Sequence, residues 1–100
     1  MPYISRRRSS QATVAMVEAS KTSVELLAAN DRRIGGMLYN DSNANLLIRF
    51  GTGDATSNLF TARLSKNGGY FEIPYSYTGE IQGIWELSNP SGAAMVTEIA

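Results

Sequence analysis

A chain of 100 residues with 43% hydrophobic side chains builds one domain around one core, and its 18% charged residues fall below the usual quarter. Nine basic residues balance nine acidic ones, which removes the broad cationic field of a nucleic-acid binder and argues against that partner for the body of the domain. With no cysteine and no histidine, disulfides, thiolate catalysis and Cys-based metal sites are excluded, along with the commonest general base and the commonest transition-metal ligand.

Residues 1–11 hold Arg6, Arg7 and Arg8 among serines and a glutamine with no apolar period, which predicts a flexible basic arm. No apolar run follows these arginines and no window approaches a membrane-spanning length, so the chain reads as soluble, made in the cytoplasm and without a membrane partner. From Ala12 the pattern changes. Thr13–Val17 and Thr22–Leu27 are short β-branched stretches that predict strands, and 28–33 is a polar surface turn in which Asn30 and Asp31 bond their own backbone. Ile34–Tyr39 and Asn45–Phe50 predict two strands of a meander around the polar stretch 39–45.

Gly51–Asn58 is a long flexible loop. Leu59–Ser65 alternates, with Phe60, Ala62 and Leu64 on one face. Lys66–Gly69 contains Asn-Gly, which supplies the positive φ of a tight hairpin turn, and Tyr70–Pro74 follows with Phe71 and Ile73 inward. Ile81, Gly83, Trp85 and Leu87 share a face of the next strand, and Ala93–Ile99 forms the last. Eight short strands with turn residues between them predict an all-β fold for residues 12–100, a small antiparallel β-sandwich or barrel of jelly-roll-like form.

Few motifs carry chemistry. Asp41, Asn43 and Asn45 match the first ligands of a calcium loop, but Leu46 and Thr52 stand where a glycine and a bidentate glutamate are required. Asn40-Asp-Ser42 fits a glycosylation acceptor without a secretory signal, and the stretch reads best as a hairpin turn. Gly51-Thr-Gly-Asp54 completes no phosphate-binding pattern. Glu72, Glu80 and Glu86 fall on outward phases and read as solvated surface. No cofactor or metal is implied, and no catalytic residue.

The remaining candidates concern contact with a partner. Trp85 either fills the core or anchors an interface; Tyr70, Tyr75 and Tyr77 either pack at a strand corner or form a carbohydrate- or protein-contact patch. Arg6, Arg7 and Arg8 are either a solvated tail or an arm that orders on phosphates or on an acidic groove of a neighbour.

The succession Leu26–Arg33, Met37–Leu46, Gly68–Pro74, Tyr77-Thr-Gly79 and Ile81–Trp85 resembles small structural proteins of tailed bacteriophages and prophages over about residues 22–99. The resemblance implies a non-enzymatic virion protein, either a capsid decoration (cement) protein or a part of a tail, baseplate or fibre. It also implies the major capsid protein or other virion proteins as partners and a homo-oligomer, a trimer being favoured. The basic arm lies outside the resemblance.

Overall fold

The computed structural model describes residues 11–100, so Arg6, Arg7 and Arg8 lie outside the described residues. Eight strands follow one another: β1 (Ala12–Glu18), β2 (Val24–Leu27), β3 (Gly35–Ser42), β4 (Leu46–Phe50), β5 (Ala62–Leu64), β6 (Tyr70–Ile73), β7 (Ile81–Trp85) and β8 (Gly92–Ile99). They form two four-stranded sheets with orders β1-β8-β3-β6 and β2-β7-β4-β5, and every pair is antiparallel.

The pairing is nested. The first strand lies against the eighth, the second against the seventh, the third against the sixth and the fourth against the fifth, as in one long hairpin. Rolling that hairpin up brings β3 beside β8 and β4 beside β7, which is the jelly-roll arrangement. The predicted all-β sandwich is therefore the observed fold.

Two predicted hairpins are not hairpins. The stretch after Tyr39 continues β3 to Ser42, and β3 and β4 then lie in different sheets instead of pairing in a meander. The Asn67-Gly68 turn does hold positive φ at both residues, 59° and 123°, yet it leads from β5 in one sheet to β6 in the other. Alternating side chains specify which face of a strand is buried, and they leave its backbone partner open.

The core fills the space between the sheets. Leu38, Ala94, Val96 and Ile73 face Leu26, Leu46, Ile48, Leu64, Ile81 and Trp85, with Phe50, Phe71 and Tyr77 packed at the margin. Gly83 sits in this layer because a Cβ there would come within 2.7 Å of Leu26 Cδ1 and 3.1 Å of Leu46 Cδ1. Leu87, expected inward with Trp85, lies beyond the end of β7 and is exposed.

Buried polar groups join the elements. Asn40 is fully buried at the sheet end; its amide donates to the carbonyls of Ala44, Leu64 and Ser65 at 2.8, 3.2 and 3.0 Å. Its Oδ1 accepts from Ser42 Oγ at 2.7 Å and from Trp85 Nε1 at 3.1 Å. Arg33 belongs to a segment expected on the surface, but it is buried. Its guanidinium donates to Glu98 Oε2 at 2.9 Å and to the carbonyls of Tyr77, Gly79 and Ala28. Neighbouring Asn30 behaves as expected, its Oδ1 accepting from Arg32 N at 3.0 Å.

Candidate interaction face

The two sheets present different outer surfaces. On the β2-β7-β4-β5 sheet the outward phase carries Arg63 and Glu86, joined at 2.9 Å, and the carboxylate raises the Arg63 pKa above its usual value by hydrogen bonding first and charge second. The loop after β4 is tied across this surface: Arg49 donates to Asp54 O at 2.9 Å, and Ala55 N donates to Ser23 Oγ at 3.0 Å. Leu47 lies on the outward phase of β4 and is nevertheless fully buried, as is Ala55 in the loop. The Gly51–Asn58 segment, expected to be a flexible loop, thus serves as a cover.

Among the described residues no such cover lies on the β1-β8-β3-β6 sheet. Register places Met16, Met95, Tyr39 and Tyr70 side by side across its four strands, and Val14, Thr97, Met37 and Glu72 in the adjacent row. All of these point away from the core, because Val17, Leu38, Phe71, Ala94 and Val96 occupy the opposite phase. Val14 and Met16 are 65% and 66% exposed, Met37 and Tyr39 both 42%, and Tyr70 69%. Three methionines and two tyrosines on one bare sheet face make a contiguous apolar surface, and such surfaces mark contacts with partners. Methionine suits it further, since its unbranched side chain adapts to irregular neighbours.

At one end of this face lies an open groove of about 360 Å³ lined by Gly35, Gly36, Glu72, Pro74, Tyr75 and Ile99. A Cβ added at Gly35 would meet nothing within 4 Å, so the glycine leaves the groove open.

The sequence candidates fall apart on this map. Tyr70 belongs to the face and Tyr75, 58% exposed, to the groove. Tyr77 does not join them: its ring stacks on Phe50 at 4.4 Å, while its hydroxyl donates to Glu80 O and accepts from Gly51 N, both at 2.8 Å. That makes Tyr77 a corner residue, the plainer of its two readings. Trp85 is 2% exposed with its indole bonded inside, so it is a core residue and its ring is closed to a partner. Asn40, weighed as a glycosylation acceptor, is buried with its amide bonded to three carbonyls. Asn43 and Asn45 are bonded to Ser91 N and Lys66 N instead of converging with Asp41. Among the described residues no group of acidic side chains is placed to hold a metal ion.

Val14, Met16, Met37, Tyr39 and Met95 were not picked out from the sequence. Their signal is local: β1, β3 and β8 carry apolar side chains on both phases, where a half-solvated strand would carry polar ones on one.

Compared with family models, with curated proteins and with solved structures, the chain matches none. The phage resemblance therefore rests on its motifs alone.

Proposed function

We propose that the protein is a virion structural protein of a tailed bacteriophage, a capsid decoration or cement protein that stabilises the shell by contacts between subunits. The observation that supports this best is the asymmetry of the two sheets, one closed by a loop and an ion pair, the other bare, apolar and rich in methionine. In this reading the bare face seats on the major capsid protein or on further copies. Apolar area removed from water there contributes roughly 25 cal/mol per Å², and many modest contacts add through avidity. A homo-oligomer, with a trimer as the expected number, belongs to the same proposal, as does a basic arm at residues 6–8 that ties one neighbour to the next.

The test is reconstitution of purified protein on shells that lack it, followed by image reconstruction. Met37→Lys with Met95→Lys places two charges on the face and should lower occupancy at least tenfold, taking about 1.4 kcal/mol as one decade, while the melting temperature stays close to that of the unchanged protein. Full occupancy by the folded variant would remove this face from the shell contact.

The alternative is a module of a tail, baseplate or fibre that contacts the host surface or another virion protein. The groove lined by Tyr75, with Tyr70 nearby, favours it, since aromatic side chains beside a cleft suit stacking on sugars. Glycan binding lost on Tyr75→Ala, with no density on the shell, would decide for this second reading.

A further inference from the structure

The four sheet edges are not treated alike. β2 has four residues, a register shift between Glu25 and Leu27 and a glutamate. β5 has three residues and carries Arg63. β6 has four and is ended by Pro74. Short strands, bulges, charges and proline are the devices by which proteins keep open edges from pairing with other chains. β1 has only one of them, and only at its end: it runs seven residues, keeps an unbroken register with β8, holds no proline, and is uncharged until Glu18.

The direction of the free backbone groups follows from the ladder. Ala19 N donates to Gly92 O at 3.0 Å and Ala100 N donates to Gln11 O at 3.2 Å. Hydrogen-bonded and non-bonded pairs alternate along an antiparallel ladder, so Thr13, Ala15 and Val17 bond to β8. Ala12, Val14, Met16 and Glu18 then aim both N–H and C=O away from it, along the outer edge. Thr13 and Ala15 are exposed as well, although they lie on the core-side phase, so among the described residues nothing covers the two faces or the outer edge of the first half of β1.

We infer that β1 is a strand-pairing site for β1 of a second copy, joining two sheets across a two-fold axis into one continuous eight-stranded sheet. The occupant is argued from self-complementarity. With Ala15 opposite Ala15 of the second copy, the outward groups of Val14 meet those of Met16, and those of Ala12 meet those of Glu18. No like charges face each other in this register. The axis falls on a non-hydrogen-bonded pair, where Cα atoms approach to about 4.5 Å, and Ala15 places a small side chain there that meets its own copy without crowding. Val14 and Met16, about two-thirds exposed in the single chain, gain each other as neighbours, and the apolar face runs on across the axis. This contact is isologous and closes at two copies; it is separate from the trimer contact of the virion reading and does not depend on that reading. The strip is narrow, so the association is weak and concentration-dependent.

Two variants of the full chain test it. Met16→Pro removes one outward donor and leaves the β8 ladder bonded, because proline is tolerated on an edge strand whose N–H faces solvent. Sedimentation equilibrium should show pairing through this contact in the unchanged protein, as dimers or, where the trimer also forms, as paired trimers, and pairing weakened about tenfold or more in the variant, with Trp85 near-UV circular dichroism confirming the fold. Ala15→Cys gives an otherwise cysteine-free chain a thiol on the axis, within disulfide geometry. Its oxidative cross-linking should be about tenfold faster than that of Thr13→Cys, whose two copies lie some four residues, or roughly 13 Å, apart. Equal cross-linking at the two positions, a Met16→Pro chain that associates as before, or protection of the β1 edge by another protein only, would each overturn the inference.

Discussion

Asn40 shows how one polar side chain can fix the position of a core. Its amide closes the carbonyls of Ala44, Leu64 and Ser65, and its oxygen receives the Trp85 indole and the Ser42 hydroxyl. A buried donor left without a partner costs about 1–3 kcal/mol, so Asn40→Ala, which orphans the indole and three carbonyls together, should lose about 3 kcal/mol or more in urea unfolding. Trp85→Phe in that background removes the orphaned N–H, so the double variant should lose about 1 kcal/mol less than the two single losses added. Additive losses would show that the indole bond contributes nothing. Arg33 extends the same logic to charge. It is buried against Glu98 and three carbonyls, and Arg33→Met, which leaves a carboxylate facing a nonpolar side chain, should cost about 3–5 kcal/mol. Neither residue announced its role in the sequence. Asn40 sits in a run of turn-forming side chains and Arg33 ends a polar loop, and burial of either depends on elements distant in the chain.

At the scale of the strand, more was legible. Phe71 and Ile73, Leu64, Ile81 and Trp85 were placed inward from alternation alone, and they are inward or at the core margin. Alternation is a property of one strand, so it carries over to any sheet that strand joins. Pairing is a property of two strands, and the segments 39–45 and 66–69 misled because a turn inside one sheet and a crossing between sheets use the same residues. The interaction face was illegible for a related reason. Met16, Met37 and Met95 come from three strands and meet only through register. The open side of β1 makes a prediction of its own for amide hydrogen exchange. Ala15 and Val17 should exchange slowly through their bonds to β8, and Val14 and Met16 fast in dilute protein; raising the concentration should slow the second pair selectively. Uniform exchange along the strand would contradict the assigned ladder.

Taken as a whole, the molecule is organised by contacts between residues far apart in the chain. β1 pairs with β8 and β2 with β7, so the first and last strands must find each other across nearly the whole length. Loops of that size cost closure entropy before any contact repays it, and such topologies fold in milliseconds to seconds. Stopped-flow refolding monitored by Trp85 should fall in that range, and microsecond folding would be incompatible with the nested pairing.

The same nesting leaves the two ends of the described chain touching, with Ala100 N bonded to Gln11 O. Joining residue 100 to residue 11 by a short linker, and opening the backbone instead at the exposed tip around Ser57 and Asn58, would give a rearranged chain with every sheet pair intact. In the unpermuted order, chain entering at residue 11 and chain leaving at residue 100 pass through one corner, beside Ile99 and the groove, so the body of the fold has its entrance and its exit at a single place.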